Sequence, residues 1–197
     1  MNHEEVLRYF DARLEAYGPT LEALAWGSPE TQRLRFGVLA AVAPLDGCDV
    51  LDVGCGLGDF WDHARRAYPT VRCESCDINP RMVEAARARY PSGRFVVADL
   101  LGECSALAAR YDYVLASGLF SLRDEGFLEA MVPAMYARCR RAVAFNSLST
   151  WGPHREPGEY VADPLHVLAF CRTLTSRVTL RHDYLEHDFT VYLYRDA

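Results

Sequence analysis

The chain has 197 residues, half of them hydrophobic, 24% charged and 12% aromatic, which suits one globular protein of ordinary size and excludes long disorder, collagenous or coiled-coil character. Its 21 basic residues are all arginine and face 27 acidic ones, a net charge of −6, which disfavours phosphate tracking by bulk charge. Seven scattered cysteines, an odd number, read as reduced thiols of a cytoplasmic protein; the acidic start MNHEEVLRYF lacks a signal peptide's positive region, and no apolar run reaches the ~18 residues of a membrane span.

Val6, Leu7, Phe10, Leu14 and Tyr17 recur at helical spacing over 3–17, and Ser28-Pro29 opens a second helix over 30–43. Residues 1–45 thus read as a helical N-terminal extension, a lid with its hinge at Trp26-Gly27-Ser28-Pro29, and 46–197 as the main domain. From Cys48 short β-branched runs alternate with helix-length segments. A strand over 48–53 leads through a glycine turn into a helix ending near Tyr68. Strand 71–76 precedes a helix capped by Asn79 with Pro80 in its first turn. Strand 95–99, a helical segment after Leu101, strand 111–117, a helix from Asp124 to about Cys139 and strand 141–147 follow. A helix over 163–173 and adjacent strands over 176–184 and 188–195 close the chain. The alternation predicts an α/β, doubly wound, Rossmann-like sheet of seven strands with helices on both faces, mostly parallel, with one antiparallel strand in a C-terminal hairpin.

Residues 50–60 read VLDVGCGLGDF, with glycines at 54, 56 and 58 between a buried strand and a helix. A sharp strand-to-helix turn whose backbone approaches a ligand wants residues without Cβ. The dinucleotide pattern G-x-G-x-x-G needs Gly or Ala at position 59, which is Asp59. Asp52, two residues before the first glycine, would repel a pyrophosphate and suits a cationic ligand.

This segment resembles motif I of the class I S-adenosylmethionine (SAM) dependent methyltransferases, matched at Asp52, Gly54, Gly56 and Gly58 with Cys55 inside the turn. The resemblance implies SAM as cofactor and S-adenosylhomocysteine (SAH) as product. It further implies that Asp77, ending strand two, holds the ribose hydroxyls, with Ile78 against the adenine. Asp99 and Leu100, ending strand three, would sit near the adenine amino group, and Ser117, ending strand four, at the methionine end. It covers about residues 48–195.

Methyl transfer from a sulfonium is an in-line displacement, so positioning supplies most of the acceleration, and a base is needed only for an acceptor that arrives protonated. Base candidates are His154, Tyr160 and Asp163, in the long stretch 146–164 after strand five. Substrate-lining candidates are Trp26, Phe120, Asn146 and Trp151. In the N-terminal segment, Tyr9, Tyr17, Gln32, Arg33 and Arg35 are further candidates to meet cofactor or acceptor.

Cys73 and Cys76 form a C-x-x-C, but residues three apart on a strand face opposite sides, so no metal is expected. His182-Asp183 and His187-Asp188 flank the hairpin turn and read as a polar rim, and His166 as a surface or packed histidine. The acidic charge, and the lack of an Asn-Pro-Pro-Tyr-type motif after strand four, favour a small-molecule acceptor with no nucleic-acid or membrane partner. A protein or RNA methyltransferase and a non-catalytic SAM or SAH binder are the alternatives, and monomer and homodimer both stay open.

Overall fold

The computed structural model describes residues 1–153 and 158–196. Asn2 caps α1 (His3–Tyr17) in a capping box with Glu5, and Ser28 caps α2 (Pro29–Ala40) with proline at its first position. β1 (Asp49–Val53) feeds α3 (Asp59–Ala67) through Gly58, and β2 (Arg72–Asp77) feeds α4 (Pro80–Arg89) through the Asn79 cap. β3 (Arg94–Val97), β4 (Tyr111–Ala116), α5 (Glu125–Arg138) and β5 (Cys139–Leu148) continue the alternation. α6 (Pro164–Cys171) precedes the hairpin of β6 (Val178–Leu185) and β7 (Asp188–Tyr194).

The seven strands lie in the order β3-β2-β1-β4-β5-β7-β6, with β7 antiparallel to both its neighbours and every other pairing parallel. Neighbouring residues of one strand point into opposite apolar layers. Leu51 and Val114 join the layer of α5, whereas Val50 and Leu115 join the layer that holds Phe36 and Leu39 of α2. Cys73 and Cys76 likewise divide between the two layers, as strand alternation requires. β2 and β4 flank β1 on opposite sides, so a crevice opens at the carboxyl ends of these strands, where the winding reverses.

Three expectations need correction. No helix follows Leu101: the carboxylate of Asp99 accepts from the Leu101 amide (2.9 Å), that of Glu103 accepts from the Ser105 amide (2.8 Å), and the Tyr111 hydroxyl accepts from the Ala108 amide (2.9 Å). These side chains capture amides that a helix would pair internally, so the crossover runs as successive turns. α2 stops at Ala40 instead of reaching 43. β3 ends at Val97, which leaves Asp99 in the turn beyond the strand.

The N-terminal segment divides between two tasks. α2 shares a core layer with the sheet, and the Tyr192 hydroxyl donates to the Val38 carbonyl. α1 is tied to the start of α4: Asn79 Nδ2 donates to Asp11 (2.8 Å) and Arg81 reaches Glu15 (2.7 Å).

Candidate functional site

A cavity of about 900 Å3 lies along the carboxyl edge of the sheet. Its floor runs from Asp77 and Ile78 at the end of β2, past the glycine turn after β1, to Ser117–Arg123 after β4, Asn146–Leu148 at the end of β5, and His187 and Asp188 where β7 begins. Its roof comes from Val6, Leu7, Tyr9, Phe10 and Arg13 of α1 and from the segment Leu24–Phe36.

Gly54 and Gly56 adopt positive φ of +72° and +51°, where an L side chain is strained, and a Cβ on either would lie 2.7 Å from the tips of Leu119 and Leu24 respectively. The amides of Gly54 and Cys55 both donate to the Cys76 carbonyl (2.8 and 2.9 Å), stitching the turn to the neighbouring strand. Asp77 bridges the same two strands, accepting from the Gly56 amide (2.8 Å) and the Asn79 amide (2.9 Å). Burial pushes its carboxyl upward, and those amides oppose the shift.

Asp52 is 2% exposed, and its Oδ2 has no hydrogen-bond partner among the described residues. Burial pushes its carboxyl up to about 8, with the Asp77 and Asp59 charges adding and Ser75 opposing. An unpaired buried carboxyl oxygen on the cavity wall fits a ligand that brings positive charge or a donor, and fits a phosphate poorly. Asp59, where a dinucleotide turn has glycine, is held by Arg89 (2.8 Å) and by Gln32 of α2 (3.2 Å).

Of the residues expected at the cofactor, Asp52, Gly54, Cys55, Gly56, Asp77, Ile78 and Ser117 line this one cavity. Gly58, Asp99 and Leu100 do not. Gly58 has φ +80°, and a Cβ there would meet Phe95 at 2.8 Å, so packing is what requires glycine. Asp99 faces His3 of α1 at 3.8 Å, and Leu100 lies in the core.

Trp26, Phe120 and Asn146 also line the cavity, the Trp26 indole lying against Gly118. Trp151, expected to line the acceptor, is 53% exposed and rests on His182 (ring centroids 5.0 Å apart) away from the cavity. Tyr160 and Asp163 are likewise absent from its walls. Burial, with Glu125, Asp124 and Glu129 nearby, pushes the Tyr160 phenol up to about 12. The Asp163 carboxylate is spent capping α6 through the Leu165 amide (2.9 Å). His154 lies outside the described residues.

At the polar end of the cavity the structure joins Arg35, a candidate from the N-terminal segment, to His187 and Asp188, which the sequence reads only as a polar rim of the hairpin. Arg35 Nε donates to Asp188 Oδ2 (2.7 Å) with both side chains under 10% exposed, and Arg35 Nη2 lies 3.1 Å from His187 Nε2. Tyr184 donates to the other Asp188 oxygen, and the Arg35 guanidinium sits 5.1 Å over the Trp26 ring. Burial pushes the Asp188 carboxyl upward, and Arg35 opposes it most strongly. The signal available in the sequence was a His-Asp pair opening the strand that must run antiparallel, which puts the pair at the same edge as the carboxyl ends of the parallel strands.

Comparison with known proteins agrees with this geometry. A protein-family profile described as a methyltransferase domain matches residues 50–142. A protein of Mycobacterium tuberculosis, whose name gives methyltransferase and no acceptor, is 31% identical over 157 residues, 74% of this chain and 92% of that protein. The trans-aconitate 2-methyltransferase of Paracidovorax citrulli is 30% identical over 108 residues, 55% of this chain, and the match spans only 41% of that enzyme. Among solved structures, magnesium protoporphyrin IX methyltransferase from Synechocystis PCC 6803 with bound SAH superposes with a TM-score of 0.72 at 16% identity, covering 99% of this chain and 100% of the other. The fold is thus shared with the solved methyltransferase, and the match to the Mycobacterium tuberculosis protein over most of both chains shows the family: the chain belongs to the class I SAM-dependent methyltransferases.

Proposed function

We propose that this methyltransferase transfers the methyl group of SAM to a small-molecule acceptor inside the roofed cavity. The observation that carries the reading is the cavity itself. About 900 Å3 is at the upper end for a small-molecule site, room for a cofactor and a modest acceptor together, and α1 with residues 24–36 covers it where a protein or RNA partner would need an open groove. Trans-aconitate and magnesium protoporphyrin IX, the acceptors named for two of the similar proteins, are small molecules, while two other relatives are named for malonyl-[acyl-carrier protein].

Bound SAM supplies an electrophilic methyl carbon on a positively charged sulfur. In this reading Asp77 holds the paired hydroxyls of the ribose, the turn at Gly54–Gly56 lets the backbone approach closely, and Asp52 meets the ligand's positive end with its unpartnered oxygen, a reading supported by their shared cavity and by the glycine conformations. The wall formed by Asn146, Ser147, His187 and Asp188 is left for the acceptor. All seven cysteines are free thiols, which suits a reducing compartment such as the cytoplasm.

The test is to incubate the protein with methyl-labelled SAM and an extract of its source organism, then separate the label by size. Label in the small-molecule fraction supports the reading. Label in protein or RNA overturns it, and no label despite SAM binding leaves a cofactor-binding protein without turnover.

A further inference from the structure

We propose that His187 is the general base of this active site and that Arg35 is the positioning residue that sets its tautomer. The inference deepens the proposed function and rests on it. A guanidinium only donates, so the 3.1 Å contact from Arg35 Nη2 makes His187 Nε2 the lone-pair nitrogen and leaves the proton on Nδ1. The ring therefore turns its acceptor nitrogen, Nε2, toward Arg35 at the cavity wall. Arg35 itself cannot swing freely: Asp188 fixes its Nε, Trp26 lies beneath it, and Tyr184 holds Asp188 from the other side. The backbone of His187 is fixed as well, since its carbonyl accepts from the Ser149 amide (2.9 Å), and Gly152 packs so closely that a Cβ there would lie 2.4 Å from the His187 Cα.

Asp188 balances the charge of Arg35, so the cluster facing the acceptor is neutral overall before reaction. The other ionisable side chains on the cavity wall are Asp52, Asp59, Asp77, Glu159, Arg13 and Arg123. Asp59 is paired with Arg89, and Asp77 is held by backbone amides on the β2 side, whereas His187 stands at the β5–β7 end. At that end both Asp188 oxygens are held, by Arg35 and by Tyr184, which leaves His187 as the described side chain whose acceptor nitrogen a substrate can reach by displacing a single Arg35 contact.

In the step, an acceptor hydroxyl or ammonium displaces the Arg35 Nη2–H from His187 Nε2, while Arg35 keeps its Nε bond to Asp188. His187 Nε2 takes the acceptor's proton as the acceptor atom's electron pair forms the bond to the methyl carbon and the carbon–sulfur pair stays on sulfur. The positive charge lost at sulfur reappears on the imidazolium, so the site's net charge is unchanged, and the half-buried ring then returns its proton to solvent. The acceptor class is accordingly one that still carries its proton near neutral pH: an alcohol, a phenol or an amine.

Two measurements test this. Nitrogen-15 spectra of histidine-labelled, SAH-loaded protein are expected to show His187 neutral and protonated at Nδ1 at pH 7.5, and Arg35→Gln to lose that preference while Arg35→Lys keeps more of it. In the labelled-transfer assay, His187→Gln is expected to lower transfer about 10²–10⁴-fold with SAM affinity unchanged, and its residual rate to go on rising with pH where the wild type has levelled off. His182→Gln, the hairpin histidine that instead meets Ser149 (2.8 Å), is the control and keeps wild-type transfer. His187→Gln transferring within about threefold of wild type at every pH, or a His187 protonated at Nε2, overturns the base. Wild-type protein that binds SAM and labels nothing overturns the proposed function itself, and the base with it.

Discussion

At the scale of single residues, Asp52 carries the sharpest consequence. Its carboxyl is raised to about 8 by burial, so in the ligand-free protein it stays largely protonated at neutral pH, whereas the unfolded chain ionises it near 4. Raising the pH from about 4 to 8 therefore costs folding stability, and the full penalty is reached above 8. Asp52→Asn should remove that fall, seen as a melting temperature above wild type at pH 8.5 and closer to it at pH 5. A cationic ligand favours the ionised form, so SAM affinity should climb as pH approaches 8, and the climb should be shallower in Asp52→Asn when both are titrated calorimetrically. Asp188 makes the opposite case, a buried carboxylate with its partner in place. Asp188→Ala strands the Arg35 guanidinium and should cost about 3 kcal/mol or more in urea unfolding.

Residue identity in the turn was legible from the sequence because positive φ and close approach leave few alternatives to glycine. The Arg35–His187–Asp188 cluster was not, because Arg35 lies 152 and 153 residues from the adjacent His187 and Asp188 and no local pattern joins them. Trp151 misled for the converse reason: an aromatic in a long loop after β5 suggests an acceptor wall, but the loop is pinned by Thr150 and Ala162 to the end of β5, and the ring turns toward His182.

At the scale of elements, α1 is the part whose attachment differs from the rest. α2 is built into a core layer, while α1 buries only Val6 and is tied down by polar contacts to Asn79 and Arg81. The Arg81–Glu15 pair is well exposed and contributes at most about 1 kcal/mol. The Asn79–Asp11 bond is partly buried, and it joins the roof to the residue two places after Asp77. Asp11→Ala should therefore speed SAM release about fivefold, the equivalent of ~1 kcal/mol for one hydrogen bond, with a small change in melting temperature; stopped-flow fluorescence from Trp26 on the cavity wall reads it. Release unchanged in this variant would mean that α1 does not gate the cofactor. The helix starts at Ser28 and Asn79 were readable because each offers a short polar side chain just before a proline in the first turn. The missing helix after Leu101 was not, since Asp99 and Glu103 act there as amide acceptors rather than helix formers.

At the scale of the molecule, the doubly wound, seven-stranded class was legible in the alternation of buried strands and helices, and a two-strand ending forces one strand to run antiparallel, whereas the strand order comes from the pairings themselves. The strand order then places the crevice beside β1, where the winding reverses and ligands enter such a sheet. The alternation could not reveal how completely the first forty residues would cover that crevice, which depends on pairings across the whole chain. Among the described residues no helix is long and apolar enough to cross a membrane, and the cavity holds the only assembly of glycine turn, orphaned carboxyl and polar wall found there.

The most direct test of the account is calorimetric titration of SAM into wild-type protein and into Asp77→Asn, with NAD as a competitor. One SAM is expected to bind per chain, weakened about 10–100-fold by the substitution, as for hydrogen bonds to a charged group worth ~1.5–3 kcal/mol, and indifferent to NAD. Absence of SAM binding, equal binding in the variant, or displacement of SAM by NAD would contradict it.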